Sequence, residues 1–395
     1  MTDRADDRIA KVDALRGFAL LGILVVNAKA FASAYYGTSL ADPAFTGPLD
    51  QGVRWLVAWL FETKFYLMFS FLFGYSFTLQ MQSAERAGEA FLPRILRRQA
   101  GLWLIGVAHA VLLFFGDILT TYAVLGLVLV LLRKRTDDQL LALARTLVVA
   151  TALLWALVGV LVALFGDGEN RAVVAQAVLA TEQAYRGGAP SVVGENLRQL
   201  GSVWVALGLI QAPCALAMFC LGLVAGRREL IRHVERYRSL GGHLVLYGCV
   251  IGLPAAAIYA YADVFLAGTK WELFGLALGI LTAPLLTGAY VALLLFGFAT
   301  RIGACVVRFL APAGRMALSN YLLQSLSAAV LFYGYGFGLI GRLPPATVLA
   351  VALGIFSIQL VLSAWWLRHF AYGPVEWLLR AFTLGRRPPM RPRQA

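Results

Sequence analysis

Ten stretches of this chain run through mostly apolar residues, at 14–34, 56–81, 96–115, 118–132, 141–165, 200–225, 241–262, 272–299, 317–339 and 346–367. A helix needs about 20 such residues to cross a bilayer. Inside hydrocarbon a helix satisfies its own backbone groups, which is why such runs fold that way. The composition agrees: 60% of the 395 residues are hydrophobic and 14% are charged, where a soluble domain has roughly half and a quarter. The expected fold is an all-α polytopic membrane protein with about ten transmembrane helices. The third and fourth runs are parted only by Gly116 and Asp117, which predicts a tight helical hairpin, and the fourth run is the shortest.

The formal charge of +13 follows from topology. With a cytoplasmic N-terminus, 24 of the 34 Lys and Arg fall in inner segments. Only Arg54, Arg171, Arg186, Arg198, Lys270 and Arg342 fall in outer ones. Positive charge collects on the cytoplasmic side, so both termini are expected there, and membrane lipids are the expected neighbours. No basic face with interleaved aromatics supports nucleic-acid binding. MTDRADDRIAKVDALRG has no small-residue cleavage site after a short apolar core, so the first run reads as a retained span. Cys214, Cys220, Cys249 and Cys305 lie in apolar surroundings without CxxC spacing, as small hydrophobes rather than disulfide or metal ligands.

The chain divides into an N-terminal membrane bundle at 1–229, a C-terminal part at 230–385 with four spans and an interfacial helix, and a basic, Pro-rich tail at 386–395 expected to be disordered near anionic lipid heads. The polar ERYRSLGGH links the halves. No internal repeat points to an inverted-repeat transporter. The outer segment 166–199 reads equally as an amphipathic surface helix or a plain connector. In HFAYGPVEWLLR, Gly-Pro breaks the chain before a short amphipathic piece.

Polar groups inside these runs are costly, and such groups usually mark a site. Asp13 and Arg16 share one helical face in VDALRGFALLGILVVN, as an interfacial ion pair or as a ligand contact. Asn27 lies eleven residues further out. Glu62 and Lys64 enter the second run about two turns from its outer end. Gly74, in an aromatic run, suggests close helix approach. His109 lies in the outer part of the third run and Asp117 in the hairpin turn. Asn27, Glu62, Lys64, His109 and Asp117 thus share roughly one depth. Histidine titrates near neutrality and suits general-base work. Asn320 and Gln324, four apart and flanked by Ser319 and Ser325, either hydrogen-bond between helices or line a pocket.

No Gly-rich phosphate loop, HExxH or GxSxG appears. Five blocks in order, DALRGFALLGILVVN, KFYLMFSFLFGYSF, HAVLLFFGDILTTYAVLG, GRMALSNYLLQS and FAYGPVEWLLR, resemble the YeiB-like family of bacterial inner-membrane proteins, which carries a C-terminal domain of unknown function. That family is distantly similar to the transmembrane acyltransferase superfamily, with its acyltransferase-3 and heparan-alpha-glucosaminide N-acetyltransferase types. The heparan-type pattern R-x10-N is matched by Arg16 and Asn27. Its His before the second span is missing from LDQGVRWLVAWLFETKF, so His109 would have to replace it.

The resemblance implies a transmembrane acyltransferase of the inner membrane. It would take a small acyl group from cytoplasmic acyl-CoA, a cosubstrate rather than a resident cofactor, to a glycan or other hydroxyl or amine acceptor outside. His109 would be the base, Asp117 would fix its tautomer, and Lys64 or Asn27 would hold the oxyanion, with Glu62 beside them. Arg16 would meet CoA phosphate, and Asn320 and Gln324 would line the substrate path. A small-metabolite permease using the same groups and a non-catalytic scaffold are the alternatives. The oligomeric state is left open.

Overall fold

The computed structural model describes residues 2–166 and 170–391, and among these every regular element is helical. In the first half, α1 (Thr2–Ala32) is followed by α2 (Pro48–Leu60), α3 (Lys64–Arg86), α4 (Phe91–Leu112), α5 (Leu119–Leu132), α6 (Asp137–Phe165), α7 (Arg171–Tyr185), α8 (Ala189–Ala206) and α9 (Ala212–Arg227). The second half holds α10 (Arg238–Tyr247), α11 (Leu253–Phe265), α12 (Lys270–Phe298), α13 (Arg301–Arg315), α14 (Ala317–Phe332), α15 (Pro345–His369) and α16 (Pro374–Leu384). α8 enters α9, and α10 enters α11, through π-helical turns at Leu207–Gln211 and Gly248–Gly252. Pro213 and Pro254 follow these turns. Proline offers no N–H and crowds the preceding turn, so the ladder slips there.

Seven helical stretches are long and apolar enough to cross a membrane: Ala10–Ala32, Pro48–Arg86, Asp137–Phe165, Ala189–Arg227, Val234–Phe265, Lys270–Phe298 and Pro345–His369. α13 and α14, bent by 77°, make an eighth if taken as one broken span. The protein is a polytopic membrane protein as expected, but ten qualifying spans are not found among the described residues. α4 begins with Arg94, Arg97 and Arg98, which shorten its apolar run. α5 has 14 residues, roughly 21 Å at 1.5 Å per residue, against an apolar layer of about 30 Å. The expected run 317–339 ends as helix at Phe332, and the run 56–81 straddles the break between α2 and α3.

Only 22% of the most apolar stretch of α6 is buried, so Leu153, Leu157, Leu161 and Leu164 form an outward apolar face suited to lipid. The inner contacts are closer. Gly74 of α3 meets the backbone of Phe219 on α9, and Gly222 of α9 meets that of Phe71, with no room for a Cβ at either position. Small residues let helix backbones approach this way in membranes, as the aromatic run around Gly74 suggested. α1 closes on α13 likewise, Gly314 lying against the carbonyl of Asp13. One buried core runs from Leu15 and Phe31 of α1 to Ala328 of α14 and Phe356 of α15, so both halves share it.

The segment after α6 does not lie loose on the surface. Tyr185 at the end of α7 stacks on Tyr333 with ring centroids 4.6 Å apart, and its carbonyl accepts the Gly334 N–H at 2.8 Å. α8 then continues into the Ala189–Arg227 stretch. The Gly373-Pro374 breaker opens α16 as expected. Glu376 in its first turn accepts the N–H groups of Leu318 (2.7 Å) and Ser319 (3.0 Å) and the Ser319 hydroxyl (2.5 Å). It thereby satisfies otherwise orphaned donors at the start of α14. Of the basic tail, 386–391 is held by hydrogen bonds from Ala371 N–H to Met390 O and from Trp377 Nε1 to Pro388 O. Residues 392–395 lie outside the described residues.

Candidate functional site

The break between α2 and α3 shapes one polar cluster. Thr63 has φ 67°, in the left-handed region, which a β-branched residue rarely occupies and which costs about 1–3 kcal/mol. Its neighbours Glu62 and Lys64 leave in different directions. Glu62 pairs with Lys29 of α1 and accepts the Tyr259 hydroxyl of α11 at 3.0 Å. Lys64 is fully buried, donates to the Ala58 carbonyl at 3.1 Å and lies 5.5 Å from the Tyr259 ring centroid.

Beside this cluster, at the C-terminal end of α1, lies a cavity of about 530 Å³ lined by Asn27, Lys29, Glu62, Tyr259, Asp263 and Tyr321 among others. Its size suits a small molecule. Lys64 is not among the described lining residues.

His109 and Asp117 form a second cluster. His109 comes from the last turn of α4 and Asp117 from the turn into α5. His109 Nδ1 lies 2.8 Å from Asp117 Oδ1, and Nε2 lies 2.8 Å from the Ser325 hydroxyl of α14. Asp117 Oδ2 accepts the Thr120 N–H at 2.8 Å. An Asp117 carboxylate bonded in this way favours the tautomer with the proton on Nδ1, leaving Nε2 to accept from Ser325. Gly106, one turn before His109, makes the approach feasible: a Cβ there would sit 2.9 Å from Asp117 Oδ2 and 2.7 Å from Thr120 N. His109, Asp117 and Ser325 are each at most 2% exposed.

The two clusters meet at a shared wall. Tyr321 stacks against His109 with centroids 4.9 Å apart, and it lines the cavity together with Gly116 and Ile118. The Tyr321 hydroxyl is buried beside Asp117 and the Ile118 backbone. α8 packs against the end of α4, its Asn196 donating to the Val111 carbonyl at 3.1 Å and accepting the Tyr185 hydroxyl at 3.0 Å.

The remaining candidates lie elsewhere. Arg16 donates to Asp13 at 2.6 Å and to Ser76 at 2.5 Å, and it does not line the cavity. Asn320 donates to the Ala313 carbonyl (3.0 Å) and to Ser363 (2.9 Å). Gln324 donates to Gln359 (2.9 Å), which in turn donates to the Asn320 carbonyl (3.0 Å). These bonds tie α13, α14 and α15 together across the 77° bend. Of the groups expected at one depth, Asn27 and Glu62 therefore both line the cavity, His109 and Asp117 meet beside Tyr321, and Lys64 is buried against Ala58 and Tyr259. Lys29, Tyr259, Asp263 and the role of Ser325 went unread. A count of ionisable groups at that depth extended to α11 would have found Asp263.

The chain is 33% identical over 399 residues to the uncharacterized protein YxaH of Bacillus subtilis (strain 168), covering 96% of this chain and 94% of that protein. It is 32% identical to the uncharacterized protein YeiB of Escherichia coli (strain K12), covering 96% and 97% respectively. This chain belongs to the YeiB-like family. Residues 225–386 match the family model described as a protein of unknown function (DUF418). No solved structure matches. Within this YeiB-like protein the matched part supplies Tyr259, Asp263 and Ser325, whereas Lys29, Glu62, His109 and Asp117 come from the preceding residues. Neither polar cluster is complete without both parts.

Proposed function

We propose that this chain is an acyltransferase of the bacterial inner membrane, moving a small acyl group from cytoplasmic acyl-CoA to a hydroxyl or amine acceptor, a sugar among them, at the outer side. The observation that carries this reading is the hydrogen-bonded chain Asp117–His109–Ser325. A base oriented by a carboxylate and aimed at a hydroxyl is the arrangement acyl transfer needs. In the neutral tautomer His109 Nε2 takes the proton of the attacking group, and Asp117 stabilises the imidazolium that forms. The R-x10-N spacing of Arg16 and Asn27 in the first span supports the same reading. The acceptor occupies the cavity, and displacement of Tyr321 brings it to His109. Asn27, which lines the cavity, suits an oxyanion better than Lys64, whose ammonium is bonded to Ala58. Arg16 turns from Asp13 to the CoA phosphates.

The test is transfer of the acetyl group from labelled acetyl-CoA to a panel of hexoses and hexosamines by purified protein. His109→Ala is expected to lose at least about 100-fold, the usual worth of general-base catalysis. An unchanged rate in a folded variant would sink the assignment.

A permease is the second reading, favoured by one observation: Lys29, Glu62 and Tyr259 form a charged cluster on the cavity that makes no hydrogen bond to His109. Solute flux into proteoliposomes without acyl-CoA would favour it.

A further inference from the structure

The acceptor-side reading uses Ser325 only as the hydroxyl at which His109 is aimed, yet its position suits a reactive role of its own. Its hydroxyl is 2.8 Å from His109 Nε2, and the other imidazole nitrogen is 2.8 Å from Asp117 Oδ1. Nucleophile, base and orienting carboxylate are therefore joined in one line, from three separate places in the chain: the end of α4, the turn before α5 and the middle of α14. A hydroxyl hydrogen-bonded to a base that is itself held by a third group is how a weak nucleophile is activated. The tight burial of all three residues excludes water that would hydrolyse an ester. Tyr321, one helical turn before Ser325, packs its ring on the same imidazole.

We infer that Ser325 is the nucleophile of a covalent relay, carrying the acyl group as an ester between acyl-CoA and the acceptor. This rests on the acyltransferase reading and goes beyond it by splitting transfer into two half-reactions. In the first, Ser325 Oγ attacks the thioester carbonyl. A C–O bond forms, the C–S bond breaks, and the hydroxyl proton passes through His109 Nε2 to the departing CoA thiolate. In the second, the acceptor hydroxyl or amine attacks the serine ester. Its proton goes to His109 Nε2, the acyl–Oγ bond breaks, and the proton returns to Oγ. No electrons change hands, and acyl-CoA is the only co-reactant.

The first half-reaction needs no acceptor, so it is testable with acetyl-CoA alone. Purified full-length protein is mixed with labelled acetyl-CoA, free CoA is followed in time, and the peptide between Arg315 and Arg342 is examined by mass spectrometry. The expected result is a burst of CoA equal to the protein concentration, with the acetyl group on Ser325. Ser325→Ala and His109→Ala abolish the label, and Ser325→Cys restores it as a thioester. Loss of the nucleophile is expected to lower overall transfer by about 1,000-fold or more. Size-exclusion profiles of the Ala and Cys variants show whether both are folded. Transfer with an unlabelled Ser325 and an active Ser325→Ala variant would overturn the relay and leave the acyltransferase standing. Label on His109 would do the same. A wild-type protein that neither releases CoA nor transfers acetyl would remove both.

Discussion

Glu62 and Lys29 form an ion pair that ties the break between α2 and α3 to the far end of α1; Glu62 is buried, Lys29 is partly exposed, and both residues line the cavity. Removing one member leaves the other charge without its partner, which costs up to about 3–5 kcal/mol where the remaining charge is buried. Glu62→Ala or Lys29→Ala alone is expected to lower stability by up to that amount. Replacing both together, as Glu62→Leu with Lys29→Met, is expected to recover most of it, since a well-packed apolar pair is often no worse than a buried ion pair. A double-mutant cycle read by thermal unfolding in detergent checks this. Additive losses would show that the pair is not coupled.

Gly106 lies where a methyl group would strike both Asp117 Oδ2 and Thr120 N. Gly106→Ala is expected to push the start of α5 from α4 and to cost about 1–3 kcal/mol, the usual range for overpacking. It should also break the His109–Asp117 bond, so activity should fall toward that of Asp117→Ala. Equal activity in Gly106→Ala and wild type would show that this bond does not govern the chemistry.

Glu376 accepts three hydrogen bonds at the start of α14, and burial holds its carboxyl above the ordinary glutamate value of 4.5. A carboxyl with a raised value in the folded state favours the protonated form. Its contribution to stability is full below 4.5 and is lost as pH rises through the raised value. The wild type should therefore lose melting temperature as pH rises above 4.5 relative to Glu376→Gln, whose side chain does not titrate. Parallel melting curves across that range would contradict the assignment.

Asn320 joins α13 and α15 across the 77° bend. Asn320→Ala leaves buried partners unsatisfied and is expected to cost about 1–3 kcal/mol. Its effect should fall on thermal stability, with CoA release per folded molecule nearly unchanged. A large loss of turnover at unchanged stability would instead put Asn320 on the substrate path.

Hydrophobic run length shows the membrane fold in the sequence alone, and Gly74 and the Gly116–Asp117 turn show two local features of it. His109 and Asp117 were also legible, because eight residues across a tight hairpin leave little freedom. Ser325 was not: it is 216 residues from His109, and the contact depends on how the α13–α14 bend turns α14. Asn320 and Gln324 were seen to share a face, but which neighbour that face meets is a tertiary fact, and it is α15. Glu62 and Lys64 enter the second run together in the sequence. The left-handed Thr63 between them parts their directions, and Glu62 takes Lys29 of α1 instead. Fewer helices pass by length and apolarity than the ten expected runs, because α4 opens on three arginines and α5 is short.

The central claim is that His109 acts as a base in acyl transfer, and CoA release from acetyl-CoA by purified protein supplied with the hexose and hexosamine panel tests it most directly. Wild type should release CoA. His109→Ala should do so at least about 100-fold more slowly per folded molecule while keeping its size-exclusion profile. Equal release by a folded His109→Ala protein, or none by wild type, would contradict the account.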